Sequence, residues 1–422
     1  MPSLKKANPG EATTSVVSKS ASQRIVSLDA LRGFDMIMIL GIDEPLVPAI
    51  AKMCHNRFTS WLAVQYEHCA WIGFHFEDLI FPLFLFMAGV SMTISIRRTI
   101  DRAGRWVAVR RIFRRGALLV ALGIFYYGGL SQDWHEVRWF GVLQRIGLAY
   151  LFAGLLFCFF RWRGLLASCI IILIGYWGLM TFVPIRDVHM SRSAFERIAQ
   201  AQGIQIRDIR DEKRIFLQIP RTVRGKYEPG YNVDSQFDFQ YLPGKLWLDY
   251  SDPEGILGTI PAIASCLLGV LAGLLLRSGE FSDRVKLALL TGIGAACLAL
   301  GFVWGLQFPV IKIMWTSSYV LVAGGYSFLL LAAFWWIVDL RGWKRWAVPF
   351  IWIGVNPITL YMLSNIVPFD RIVGRFIGGP ISGILDAHIA TGMGTVAIAT
   401  CSIALILLCA WFLNKKQIYL RV

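Results

Sequence analysis

Apolar residues in this chain do not alternate with polar ones; they run together in long blocks divided by short charged stretches. A helix needs about 20 mainly apolar residues to cross the hydrocarbon core of a bilayer. Blocks that meet this condition lie at 30–50, 79–96, 114–130, 143–160, 164–184, 255–276, 286–306, 317–338, 346–367 and 392–413. The pattern predicts an all-α integral membrane protein of about ten transmembrane helices. The block at 30–50 is interrupted by Asp43, Glu44, Pro45 and Pro48, and the one at 346–367 must kink at Asn356-Pro357.

The charges give these blocks a direction. Arg and Lys gather at the N-terminus (Lys5, Lys6, Lys19, Arg24, Arg32), along 97–115, at Arg161 and Arg163, at Arg277, Arg284 and Lys286, at Arg341, Lys344 and Arg345, and at Lys415, Lys416 and Arg421. The intervening short loops hold only Lys52 and Arg57, Arg138 and Arg145, Lys312, and Arg371 with Arg375. By the positive-inside rule both termini are cytoplasmic and the number of spans is even. Residues 51–78 and a polar segment at 185–254 then fall on the outer face. Residues 1–23, polar and rich in Ser, Thr and Ala, read as a disordered cytoplasmic tail. Residues 24–422 read as one polytopic domain with that outer loop, and no repeat relates its halves.

Composition agrees. Of 422 residues 56% are hydrophobic and 16% charged, against roughly 25% charged in soluble proteins. The net charge of +15 is spent on the orienting clusters, and no nucleic-acid motif accompanies it, so nucleic acid is not an expected partner. Six of the eight cysteines lie in or beside apolar blocks and read as small buried hydrophobes. Cys54 and Cys69 share an outer loop, where a disulfide and two free thiols both stay open.

Charges near hydrocarbon need a reason. Asp29 and Arg32, three apart at the entry to the first helix with Asp35 just beyond, suit a local ion pair. Asp43 and Glu44 lie either in a loop that begins early or deep enough to serve chemistry. The richest stretch is Tyr66 to Asp78, where His68, His75, Glu77 and Asp78 precede an apolar run. Asp78 could cap that helix, or an acid here could orient a His and tune its basicity. The spacing matches no metal signature, and no metal is expected. Arg145, at the mouth of a span, reads as an interfacial anchor or as a cation for phosphate or carboxylate. Asp252-Pro253 spells a helix start, with Pro in the first turn. In the outer loop Tyr227, Tyr231, Phe237, Phe239, Tyr241 and Trp247 interleave with Asp234, Asp238 and Asp249. Such faces suit an amino sugar, although for most of them a small packed cap is sufficient explanation.

Several stretches, in order, resemble the transmembrane acetyltransferases typified by heparan-α-glucosaminide N-acetyltransferase. They are RIVSLDALRG at Arg24–Gly33, HCAWIGFHFEDLIFPLF at His68–Phe84, GVLQRIG at Gly141–Gly147, DPEGILG at Asp252–Gly258, WTSSY at Trp315–Tyr319, GVNPITLY at Gly354–Tyr361 and KKQIYLRV at Lys415–Val422. The resemblance implies transfer of acetyl from acetyl-CoA, reached from the cytoplasm, to the amine of a glucosamine-like sugar on the outer face. It assigns the essential His to His68, while His75 is off the family position. Asp43 stands where the lysosomal members carry Asn, and the loop from there to His68 is longer. These departures, together with the likeness to bacterial relatives, turn the expected acceptor toward cell-wall or exopolysaccharide amino sugars and the location toward the cell inner (plasma) membrane.

On this reading His68 is the general base and Asp78 orients it, with Asp43 as a further catalytic candidate. A covalent acetyl-His route is the variant. Glu44, Glu77, Arg145 and Asp252 are candidates for binding substrate or CoA. Ser317, Ser318, Tyr319 and Asn356 are candidate donors to the oxyanion, and the arginines of a 97–115 loop are candidates for CoA phosphates. Expected partners are the bilayer and the amino sugar, with a homodimer left open. A transporter or lipid-linked-sugar flippase, and a sugar O-acyltransferase, are the rival classes.

Overall fold

The computed structural model describes residues 25–419 apart from 55 and 132, with the side chains of residues 43–45 also outside the description. The expected N-terminal tail and the side chains of Asp43 and Glu44 therefore lie outside the described residues. Among the described residues the structure is mainly helical. It opens with α1 (Val26–Ile37), a wide π-helical stretch over Met38–Leu46 and α2 (Val47–Met53). The expected span at 30–50 is thus not one helix: Gly41 turns to an extended backbone, and Pro45 and Pro48 supply no N–H to hold a regular ladder. A short α3 (Arg57–Gln65) follows, closed by a capping box between Asn56 and Thr59.

The long helices come next. They are α4 (Glu77–Ala103), α5 (Arg105–Tyr126), α6 (Val142–Phe159) and α7 (Trp162–Phe182). The expected loop at 97–115 is instead the facing ends of α4 and α5, which turn at Gly104 with φ of 88°. At 27 residues α4 is about 40 Å long, more than the roughly 30 Å hydrocarbon core, so its Arg-rich end projects beyond the lipid. For the same reason α5 begins nine residues before the expected 114 and carries five arginines in its first half.

Beyond α7 the outer segment folds into a cap. It holds α8 (Arg192–Gln202), α9 (Ile209–Gln218), α10 (Val233–Tyr241) and two antiparallel strand pairs, Ile185–Arg186 with Arg221–Val223 and Tyr227–Glu228 with Tyr231–Asn232. Phe195, Phe216 and Phe239 are buried together at its centre, so Phe239 belongs to packing, as the simpler reading of these aromatics had it. The bundle then resumes with α11 (Ile256–Arg277), α12 (Asp283–Gly305) and α13 (Ser317–Phe334), the last prolonged to Leu340. Next come α14 (Val348–Gly354) and α15 (Pro357–Ile366), bent by 67° at Asn356-Pro357. After α16 (Phe369–Ile377) and α17 (Pro380–His388), α18 (Met393–Lys415) closes the fold.

Among the described residues seven helices are long and apolar enough to span a membrane, or eight counting the bent pair α14–α15 as one. This is an all-α multi-pass membrane protein, with fewer uninterrupted spans than the ten expected; the differences fall at 30–50 and 114–130. Its central contact is α4 on α11. Gly89 and Gly269 each face the partner's backbone so closely that a Cβ would collide with it, the small-residue contact by which helices approach in lipid. That contact holds the Glu77 end of α4 and the Ile256 end of α11 on the same side of the bundle.

Candidate active site

Where α4 begins, the chain leading into it is folded back over the helix end. Asp78, in the first turn and fully buried, does not cap its own helix. One carboxylate oxygen accepts the backbone N–H of His75 at 3.0 Å and of Cys69 at 3.3 Å. The other lies 3.3 Å from His68 Nδ1 and 3.5 Å from Lys312 Nζ. His75 turns away, its Nδ1 2.8 Å from the Glu67 carbonyl oxygen. The His68 side chain is 60% exposed, so its ring reaches solvent while its orientation is fixed from beneath. Cys54 and Cys69 are both unpaired.

Lys312 completes the cluster. Its Nζ stands 3.0 Å from His68 Nδ1 and 3.3 Å from Nε2. Burial pushes the Lys312 pKa below the ordinary lysine value, against the opposing pull of Asp78, Glu77 and Glu254. The turn that places it is unusual. Trp315 sits at φ 51°, a left-handed conformation rare for a bulky residue and worth on the order of 1–3 kcal/mol of strain. The ring of Trp315 is held by its Nε1–H to Ser265 Oγ at 3.1 Å and by the Arg145 guanidinium 4.9 Å from its centre.

These groups stand at one end of a cavity of about 660 Å³. Its walls come from α1 (Met36), α4 (Glu77, Ile80, Phe81, Phe84), α6 (Val142, Leu143, Ile146) and α15 (Ile358, Tyr361, Asn365), together with His68, Trp71, Lys312 and the buried Trp315. From Glu77 to Phe84 the cavity follows α4 for about 10 Å, into the apolar depth of the bundle. Across from His68 stands a second charged group. Arg138 pairs with Asp252 at 3.1 Å and Glu254 at 2.5 Å, and lies between the rings of Tyr127 and Trp247, 4.4 Å from each. Burial opposes the Arg138 charge, but Asp252 and Glu254 outweigh it and raise its pKa. Burial raises Glu254 above the usual carboxylate range, with Arg145 pulling the other way. Tyr126 and Tyr361 stack nearby at 4.7 Å.

The expected site residues divide into groups. His68, Asp78 and Glu77 meet here, His68 and Glu77 as wall residues. Asp252 is buried behind the wall, and its carboxylate accepts from Trp247 and Glu254 N–H as well as Arg138. It does not start α11, whose first turn is capped by Asp238 at Ile256 N–H (3.2 Å) and by Asp234 at Gly258 N–H. Arg145 has no exposure, which corrects the interfacial-anchor reading; it donates to the Gly255 carbonyl at 3.2 Å. The hydroxyls of Ser317 and Ser318 donate to the Leu173 and Phe308 carbonyls, and Tyr319 OH donates to the Asp78 carbonyl at 2.7 Å. Of these, Tyr319 braces the cluster directly, while Ser317 and Ser318 tie the start of α13 to neighbouring backbone. Asn356, at the helix break, donates to the Ile418 carbonyl at 2.9 Å and does not line the cavity. Asp29 and Arg32 form the expected pair at 3.3 Å, and Arg32 also reaches Ser91 and the Gly354 carbonyl.

Sequence reasoning passed over Lys312, Arg138, Glu254 and Trp315 as site residues, and offered Trp247 only among the outer-loop aromatics suited to an amino sugar. The signal for Lys312 was its isolation as the one cation between two spans; for Arg138, its position just before the GVLQRIG stretch.

Residues 24–192 match the family model described as heparan-alpha-glucosaminide N-acetyltransferase, catalytic. The chain is 26% identical over 397 residues to the heparan-alpha-glucosaminide N-acetyltransferase of Mus musculus, covering 83% of this chain and 55% of that protein. It is 26% identical over 392 residues to the protein of that name from Homo sapiens, covering 82% and 54%. The chain thus spans about half the length of the curated relatives it matches. Over its matched segment, and more loosely over most of its length, the chain is similar to heparan-alpha-glucosaminide N-acetyltransferases.

Proposed function

We propose that this chain is a plasma-membrane N-acetyltransferase that moves acetyl from cytoplasmic acetyl-CoA to the amine of a glucosamine-like sugar on the outer face. The observation that carries the reading is the His68 ring, held by Asp78 and Lys312 at the mouth of a cavity that runs between the helices. An amine attacks a thioester only when neutral, and an imidazole is suited to take its proton near neutral pH. Asp78, paired with His68 and buried, favours the orientation in which the other ring nitrogen faces the acceptor. Glu77 and Glu254 on the cavity wall suit an ammonium group, and Trp247 with Tyr127 and Tyr361 suits the apolar face of a sugar ring. The apolar channel beneath suits the thin pantetheine arm of the donor. The names of the relatives support the acceptor class.

The test is acetyl transfer by the full chain in vesicles. Given acetyl-CoA, the protein is expected to release free thiol with glucosamine and not with N-acetylglucosamine. The His68→Ala variant is expected to lose at least ~10²-fold of this rate, the usual scale for a proton-transfer group. Equal release with the N-blocked sugar would replace amine transfer by hydroxyl transfer.

A further inference from the structure

Acetylating a sugar ammonium ion removes two protons from one nitrogen. The first leaves before attack, so that a lone pair is free; the second leaves the tetrahedral adduct. As the N–C bond forms and the C–S bond breaks, the departing sulfur takes one proton and becomes the thiol. The balance is R–NH₃⁺ + CH₃CO–S–R′ → R–NH–COCH₃ + HS–R′ + H⁺, which leaves one proton with no place among the products. An imidazole holds one such proton at a time. A site with His68 as its only base must empty that ring to bulk water within the turnover.

Resting on the reading above, we propose that Lys312, as the neutral amine, receives through His68 the proton that the products do not keep. Its Nζ is 3.0 Å from Nδ1 and 3.3 Å from Nε2 of His68 but 3.5 Å from Asp78, so it sits closer to the ring than to the carboxylate it would serve as a mere counter-ion. Its protonation has a direct consequence for the ring. An ammonium 3.3 Å from Nε2, the nitrogen not paired with Asp78, donates to its lone pair and occupies the basic nitrogen. A neutral amine leaves that nitrogen free and can itself accept. The ionisable groups facing Lys312 are His68, Asp78, Glu77 and Glu254. Burial favours the neutral amine while the three acids stabilise the proton once it arrives. Lys312 also lines the cavity, so the proton has a way out to solvent.

Lys312→Arg and Lys312→Met separate this role from that of a fixed charge, because Arg keeps the charge and does not release its proton. The turnover number of vesicle-reconstituted protein is followed against pH at saturating acetyl-CoA and glucosamine. Wild type is expected to show two ascending steps, since both bases must be empty. Each variant is expected to lose one step and fall ~10²–10⁴-fold at neutral pH, Arg as far as Met. An Arg variant with the wild-type rate and profile overturns the proposal. A measurement on the wild-type protein covers variants that fail to fold: competitive labelling by acetic anhydride, read at Lys312 by mass spectrometry. Titration clearly below the ordinary lysine value of about 10.4 is expected, and titration at that value overturns the proposal. Wild-type protein that acetylates no amine removes the function proposed above and this role with it; active wild type with an active Arg variant removes this role alone.

Discussion

Asp78 makes more of the site than any other side chain, and it does so from a fully buried position. It ties Cys69 and His75 backbone to the helix end, faces His68 and Lys312, and through its own carbonyl anchors Tyr319. Its two duties separate by substitution. Asp78→Asn keeps an oxygen for the two N–H groups but puts an uncharged amide beside His68; transfer is expected to fall by ~10²-fold or more while the fold holds. Asp78→Ala leaves both N–H groups without their acceptor, at about 1–3 kcal/mol each, and a lower melting temperature is expected as well. Thiol release and thermal melting of the two variants check this, and an Asn variant turning over at the wild-type rate would remove Asp78 from the chemistry. The pairing of His68 with Asp78 was legible because both lie within eleven residues of a marked helix start. Lys312 was not, because 244 residues separate it from His68 and the left-handed turn at Trp315 beside it leaves no mark in the hydropathy pattern.

Elements were legible in proportion to how much of their spelling is set by lipid. Blocks that meet either lipid or protein on every side carry one long apolar run, and α6, α7, α11, α12, α13 and α18 begin and end close to where hydropathy puts them. Where backbone geometry rather than hydropathy decides, the pattern misleads: the π stretch at Met38–Leu46 and the one-residue turn at Gly104 leave no hydrophobic trace. The cap was legible only as an outer segment, since the use of its acids depends on tertiary contact. Asp234 and Asp238, on consecutive turns of α10, are spent on the first turn of α11. Burial raises the pKa of both, Asp234 to about 7. A carboxyl raised on folding contributes stability that is complete below its unfolded value, about 3.9, and is lost as pH rises through the folded value. Cap stability is therefore expected to decline from about pH 4 toward pH 7. Asp238→Asn, which keeps an acceptor for Ile256 N–H, is expected to flatten the decline. Melting curves of both proteins against pH decide it, and a variant with the same slope as wild type would place the titration elsewhere.

At the scale of the whole molecule, one arrangement carries every functional statement: the cluster around His68 and the cap lie on one face, and the Arg-rich hairpin of α4 and α5 on the other. The helix α4 joins the two, with Glu77 at the cavity and Arg102 one turn from Gly104. A helix of 27 residues has its ends about 40 Å apart, and with a hydrophobic centre it holds them on opposite sides of the lipid. By the positive-inside rule, the clustering of Arg97, Arg98, Arg102, Arg105, Arg110 and Arg111 at one end is the reason the proposal puts that end in the cytoplasm. Single cysteines introduced at exposed positions test the arrangement without touching the site: Gln200→Cys on α8 in the cap and Ala103→Cys at the end of α4. In sealed right-side-out vesicles a membrane-impermeant maleimide is expected to label position 200 at once and position 103 only after permeabilisation, above the background of the native cysteines. With the donor proposed to be cytoplasmic and the acceptor external, the transfer requires this opposition. Labelling of both positions from outside would leave His68 and the arginine hairpin on one face, and a transfer across the membrane would have no geometry to run on.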